Sequence, residues 1–326
     1  MYRMSQGFGG VAVVQDRSSL YLYNSTVKDS FATDVAGAIL GTGSAVVVLD
    51  GSTIQNATGS VGGAIKNEGV STVSIVNGSK IVNCTATSAG AAYYGDSGGS
   101  IYVSRSVIAN NVVLGSDGGG FYLARGEAAT IDPNSSFQNN VAARYGGAVF
   151  ATGGAVITIT GPTIVTGNQA AQTGGALFMD SMANLTLQGP NLIINGNIAP
   201  IGSLAAFMSP PGGYLSRPKI LESSGISGEI YVFYTATSVD MMNSGAFVGM
   251  SNVHLAGRAA TLNIANVTSI NNTSINFAST IPEFSVYAVD IFDNLVPVNY
   301  ASPVIVSVQI QQSTKPQLME KQSKPF

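Results

Sequence analysis

Charged residues make up only 10% of this 326-residue chain, so the few that cluster are the first place to look for chemistry. Placed by their offset from a recurring glycine motif, Asp16, Glu68, Asp96, Arg125 and Asp180 fall near one edge, and Asp96, Arg105, Asp117 and Arg125 form the densest group. Paired carboxylates serve glycoside hydrolysis, and carboxylates holding Ca²⁺ beside a Lys or Arg serve polysaccharide elimination. Both need side chains on neighbouring repeats of one face. These residues come mostly from repeats that are not adjacent, so they read as solvated turn charges and no catalytic residue is assigned. His254, the single histidine, has no His, Cys or carboxylate at metal-ligand spacing, so neither a metal nor a cofactor is expected. Cys84, also single, has no disulfide partner in the chain and reads as an inert, partly buried thiol.

What must position any such residues is a repeat. A Gly-Ala-apolar element recurs as Gly9-Gly10-Val11-Ala12, Gly37-Ala38-Ile39, Gly62-Gly63-Ala64-Ile65, Gly90-Ala91-Ala92-Tyr93, Gly119-Gly120-Phe121-Tyr122, Gly146-Gly147-Ala148-Val149 and Gly174-Gly175-Ala176-Leu177, fading at Gly202-Ser203-Leu204. The last glycines, Gly10, Gly37, Gly63, Gly90, Gly120, Gly147, Gly175 and Gly202, are spaced 27, 26, 27, 30, 27, 28 and 27 apart. A second element begins at Ser25, Ser52, Ser79, Ser106, Ser135, Pro162, Pro190 and Pro218, with an apolar residue two positions on, and keeps nearly the same step. One supersecondary unit copied at a fixed period means a solenoid.

The apolar residues come in alternating runs of three to five, such as Leu20-Tyr21-Leu22 and Val156-Ile157-Thr158-Ile159, too short for helices and right for strands. Three such runs per repeat predict an all-β fold, a right-handed parallel β-helix of about eight to nine coils, three-sided, with adjacent coils about 4.8 Å apart. Glycine at Gly10, Gly37, Gly63, Gly90, Gly120, Gly147 and Gly175 is expected to take the positive φ of a tight corner. At another corner Asn56, Asn83, Asn110 and Asn139 share a column, and their amides are expected to face inward as a ladder, each donating to the next. Gly-Gly-Gly at 118–120 neither follows a strand into a helix nor precedes Lys-Ser/Thr, so nucleotide binding is not expected.

The pattern degrades after Gly202, and the β-helix is expected to span 1–257. Phe284 to Asp290 alternates strongly before Phe292-Asp293-Asn294-Leu295-Val296-Pro297, and 258–312 reads as a partial Ig-like β-sandwich segment. The polar stretch 313–326 reads as a disordered tail. A net charge of −3 gives no reason to expect nucleic acid or an anionic membrane surface, and no run of 18 apolar residues suggests a transmembrane helix. Met1-Tyr2-Arg3-Met4 has no apolar leader, and the repeat is already running by Gly9, so the sequence reads as a fragment or an incomplete gene model.

Phe137-Gln138-Asn139-Asn140 followed by Gly146-Gly147-Ala148-Val149 resembles the paired Phe-x-x-Asn and Gly-Gly-Ala-Ile/Leu/Val signatures of the chlamydial polymorphic outer-membrane protein repeat family. Gly62-Gly63-Ala64-Ile65 and Gly174-Gly175-Ala176-Leu177 match the second signature again. The likeness covers roughly 9–205 and implies a right-handed β-helix displayed at a cell surface and used in adhesion. Two departures stand out: Phe occurs in only one copy of the first signature, and no translocator barrel follows.

Asn-x-Ser/Thr sequons occur at Asn24, Asn56, Asn77, Asn83, Asn134, Asn184, Asn266, Asn271 and Asn272. Glycosylation is a candidate at all but Asn56 and Asn83, which are expected to face inward. The expected function is therefore that of a secreted or surface-exposed structural and adhesive protein without a chemical step. Polar columns and aromatics such as Tyr93, Tyr94 and Tyr122 would meet a protein or glycan partner. The alternative is a carbohydrate-active β-helix enzyme, which the same fold also hosts.

Overall fold

A coil of about 27 residues cannot bury its apolar side chains alone, and stacking solves that by giving every strand a neighbour from the next coil. The computed structural model describes residues 4–5, 9–180 and 182–208, together with 219–220, 226–228, 230–233, 253–256, 261–264, 286–289, 306–307 and 323–324. Among them there is no helix, and the first unit is built from parallel sheets stacked as a β-solenoid of about seven turns. The chain divides into two units, Met1–His254 and Leu255–Phe326.

Each turn carries four strands rather than the three expected. In one turn these are Ile65–Asn67, Thr72–Val76, Lys80–Val82 and Thr85–Ala89. Their equivalents build sheets that we call I to IV in that order, with ten, eight, seven and seven strands. Sheet IV escapes the sequence pattern because its strands are as short as Val112–Val113 and Gln169–Ala170, and two residues show no alternation. Among the described residues the strands of sheets III and IV run to Ile193–Asn195 and Gln169–Ala170, with single bridges on to Ile226 and Ile198, while sheets I and II add Ala205–Met208, Ile230–Phe233 and Lys219–Ile220.

The interior is apolar wherever strands alternate. Val47, Leu49, Val73, Ile75, Ile101 and Val103 of sheet II are buried, and Ile54, Ile81, Ile108 and Phe137 of sheet III face them. That last column continues through Val165 and Ile194, not through Ile164 and Leu192 as the second element suggested. The step from the turn of Ser135 to that of Pro162 is 28 residues and not the 27 that separates those two residues, so Thr163 takes the place of Ser135 and Ile164 faces outward.

The glycine corner divides its labour between two columns. Positive φ falls on Gly62, Gly90, Gly118, Gly146, Gly174 and Gly202. Of the expected corner residues only Gly90 takes it; Gly10, Gly37, Gly63, Gly120, Gly147 and Gly175 do not. The next column is glycine for another reason: a Cβ on Gly147 would sit 2.2 Å from the Gly175 carbonyl oxygen, and one on Gly37 would sit 1.9 Å from that of Gly63. Gly120 lies one position further on, in the column of Ala64, Ala92 and Ala148.

The asparagine expectation is off by one residue. Asn56, Asn83, Asn110 and Asn139 are exposed, with φ of 54°, 54°, 56° and 53°; they turn the corner between sheets III and IV in the left-handed conformation that Asn tolerates. Among these four, Asn56 bonds Asp29 Oδ1 at 2.9 Å on the surface. The buried ladder is Asn111, Asn140, Asn168 and Asn197. Each Nδ2 donates to the next Oδ1 at 2.9 Å, and each Oδ1 also accepts a main-chain N–H from the preceding turn, beginning with that of Cys84 at 3.0 Å.

In the second unit the described strands pair antiparallel, Thr261–Ile264 with Val286–Val289 and Val306–Ser307 with Ser323–Lys324. The expected Ig-like segment 258–312 and tail 313–326 lie otherwise outside the described residues, as do Asn266, Asn271 and Asn272. No helix among the described residues is long and apolar enough to cross a membrane.

Candidate functional site

Sheet I has two unlike faces because its strands, three or four residues long, alternate. Inward, Tyr93 packs its ring 5.4 Å from Phe121, which meets Phe137 of sheet III edge-on at 4.8 Å. Outward, the register aligns Lys66, Tyr94, Tyr122, Phe150 and Phe178 in one row. Neighbouring strands stand about 4.8 Å apart, close to the stacking distance of flat rings. The rings therefore stack along the solenoid, with centroids 4.8, 4.9 and 5.5 Å apart and planes within 20° of parallel. Tyr145, just before the glycine corner, stacks on Phe178 at 4.6 Å, and the Lys66 ammonium lies 5.8 Å from the Tyr94 ring at the other end.

Two ion pairs flank this ladder. Arg125 reaches Asp96 at 2.8 Å from the turn after sheet I, and the Tyr94 hydroxyl donates to the same carboxylate at 3.4 Å. Before the glycine corner, Arg144 grips Asp117 with Nε at 3.2 Å and Nη2 at 2.7 Å, and it donates to Ser116 Oγ at 2.7 Å. Tyr122 feels both pairs. Burial first, then the charges of Asp117 and Asp96, push its phenol above the usual tyrosine range. Burial, then Asp96, does the same to Tyr94, and the hydrogen bonds to Asp117 raise Arg144.

What the arrangement offers is a set of oriented hydrogen-bond donors. Both phenols are held protonated at neutral pH, so neither serves as a base. Each arginine is committed to a carboxylate, yet the Arg125 side chain is 73% exposed and keeps donors free for a ligand. The ring faces are used up by stacking and Phe150 and Phe178 are buried, so what the row presents is the edges and hydroxyls of the half-buried Tyr94 and Tyr122. Among the described residues no group of His, Cys, Asp and Glu could hold a metal ion.

The structure thus brings together Asp96, Asp117, Arg125, Tyr94 and Tyr122 of the residues singled out in the sequence. Arg105 is not among them; it sits at the corner between sheets II and III and bonds Asn77 Oδ1. Arg144 joins instead, a residue whose proximity to Asp117 depends on the fourth strand. Glu68 pairs with Lys66, while Asp180 accepts from Thr152 at 3.4 Å. Asp16 turns the first sheet I–II corner with φ of 57°. Tyr93, expected outside, is fully buried. The sequons Asn24, Asn77, Asn134 and Asn184 are exposed, and so are Asn56 and Asn83, which removes the reason for setting those two apart.

One functional group escaped the sequence altogether. Glu127 is fully buried inside the solenoid and accepts hydrogen bonds from Tyr93 Oη and, at 3.2 Å, from Asn67 Nδ2. Its column is otherwise Ala45, Ser71, Gly99, Ala155 and Ala183, and one long side chain in a column of small ones was the available signal.

Fold and site together define a parallel β-solenoid with an aromatic ladder and paired charges on one outer face. No family model, curated protein or solved structure matches the chain.

Proposed function

We propose that this chain is a non-catalytic surface or secreted structural and adhesion protein, a rigid right-handed β-helical rod whose sheet I face binds a protein or glycan ligand. The observation that carries the reading is the row Tyr94–Tyr122–Phe150–Phe178 bracketed by Arg125–Asp96 and Arg144–Asp117. Phe150 and Phe178 are buried and hold the row rigid, while the half-buried Tyr94 and Tyr122 offer ring edges and protonated phenols beside oriented cations, the mixture that polar ligands meet at binding surfaces. Surface display and adhesion are what the resemblance of residues 137–149 to the polymorphic outer-membrane protein repeats implies. A right hand agrees with the general preference of parallel strand crossovers.

The test is direct. Arrays of glycans and of cell-surface proteins are probed with the wild-type chain and with Arg125→Ala, whose exposed side chain leaves the fold intact. Retention that falls about tenfold or more in the variant, worth about 1.4 kcal/mol, supports the assignment; equal retention overturns it. The same face also carries the competing reading, since Asp96 and Asp117 both lie within electrostatic reach of Tyr122. Turnover of a polysaccharide that Asp96→Ala or Asp117→Ala abolishes would make the chain a carbohydrate-active enzyme instead.

A further inference from the structure

Glu127 enters the interior from the turn between sheets I and II, and the neighbouring turn makes room for it with glycine. A Cβ on Gly95 would meet the Glu127 Cδ at 2.5 Å, and one on Gly99 would meet Asn67 Nδ2 at 2.5 Å. The amide orientation of Asn67 is set independently, because its Nδ2 also donates to the Ser71 carbonyl at 3.0 Å. Both side chains that donate to Glu127, Asn67 Nδ2 and Tyr93 Oη, go to Oε1, while the main-chain N–H groups of Gly99 and Ser97 face the carboxyl outside hydrogen-bond geometry. Two buried oxygens are then left without a partner, Glu127 Oε2 and Asn67 Oδ1. Both are acceptors, and they belong to two groups already joined by one hydrogen bond.

A single proton resolves both orphans. A carboxylic acid and a primary amide can bond twice at once, N–H to one carboxyl oxygen and O–H to the amide oxygen. We propose that Glu127 is a buried proton-binding site of the solenoid, carrying its proton on Oε2 and donating it to Asn67 Oδ1. The groups facing the carboxyl are Tyr93, Asn67 and the main-chain N–H groups of Gly99 and Ser97; Asp96 acts on Tyr93 beside it, and no cation appears among them. Burial pushes the Glu127 carboxyl up, against the pull of those donors, which agrees with the geometry.

The sign of the consequence follows from linkage. The folded chain binds a proton that the unfolded chain releases above the ordinary Glu value of about 4.3, so stability is full below that value and falls as pH rises toward the folded-state value. Within that window the unfolding constant gains a factor of about ten per pH unit. The first part of the turn stack is therefore firmer in mild acid than at neutrality.

Two measurements test this on the full chain. Unfolding in urea is followed from pH 4 to pH 9 for wild type and Glu127→Gln, which keeps the shape and supplies a permanent N–H to Asn67 Oδ1. The expected result is a wild-type profile that declines with pH by the stated factor and a variant profile that lacks this component. Coincident profiles overturn the proposal. Infrared spectra of the wild type at pH 7 give an answer that needs no variant, since exposed carboxylates are ionised there and a protonated-carboxyl carbonyl band reports a buried acid. Presence of that band supports the proton on Glu127, and its absence refutes it even if Glu127→Gln does not fold.

Discussion

Replacing Asn140 by Ala interrupts the buried amide ladder at an inner rung, and the hydrogen bonds state what is lost. Asn140 Oδ1 accepts from the main-chain N–H of Asn111 at 3.1 Å, and its Nδ2 donates to the Ile108 carbonyl at 3.0 Å. Asn111 Nδ2 keeps the Ile81 carbonyl at 3.1 Å, and Asn168 Oδ1 keeps the main-chain N–H of residue 140 at 3.0 Å. One buried main-chain donor, the Asn111 N–H, is therefore orphaned, while the Ile108 carbonyl keeps its place in the sheet III ladder beside Gln138. An orphaned buried donor costs about 1–3 kcal/mol, so the variant should lose about that much. Asn139, one residue earlier, supplies the control: it is exposed with φ of 53°, and glycine suits that conformation. Asn139→Gly should stay within about 0.5 kcal/mol of wild type. Urea midpoints read both values, with unchanged slopes licensing the comparison. An Asn140→Ala midpoint equal to wild type, or an Asn139→Gly loss larger than that of Asn140→Ala, would refute the assignment of the ladder to the inner column.

Two further perturbations follow from the same columns. Burial pushes the Cys84 thiol up to about 12, so alkylating reagents at pH 8 should leave the native chain unmodified and label it at once in denaturant; equal labelling in both states would refute the burial of this column. Gly147→Ala should cost several kcal/mol, because its Cβ meets the Gly175 carbonyl at 2.2 Å. Gly154→Ala, with φ of 76° and open space around the Cβ, should cost only about 1–2 kcal/mol from backbone conformation. Thermal or urea unfolding of the two variants ranks them, and the reverse order would exclude close approach as the reason for glycine at 147.

Period and strand alternation made the solenoid legible, since both follow from stacking and from side chains that alternate in and out. Register at the corners was harder to read. Asn56, Asn83, Asn110 and Asn139 keep the step of the repeat as faithfully as the inner column does, and two turns carry Asn-Asn, so spacing alone does not choose between them. The deciding clue is what replaces them. Gly167 and Gly196 occupy the outer column with φ of 67° and 59°, a substitution that answers a need for left-handed backbone and not for an amide. Asn168 and Asn197 follow them directly.

The candidate site was half legible. Asp96, Asp117 and Arg125 were visible as scarce charges, but their partners depend on a short fourth strand that brings Arg144 back toward Asp117. Tyr93 and Tyr94 are neighbours of identical type on opposite faces, and only the register with Ile65 and Lys66 separates them. Glu127 was hidden because a buried carboxyl is the exception to composition-based reading, and the glycines that accommodate it look like turn residues.

The asparagine ladder also bears on how such a chain changes length. Each rung between Asn111 and Asn197 offers the next turn the same donor and receives the same acceptor. A duplicated turn inserted there would find complementary surfaces above and below without any new contact having to arise. Duplication of one coding segment could thus extend the molecule by about 4.8 Å and leave every existing joint unchanged, making length a trait that is free to vary while the cross-section is not.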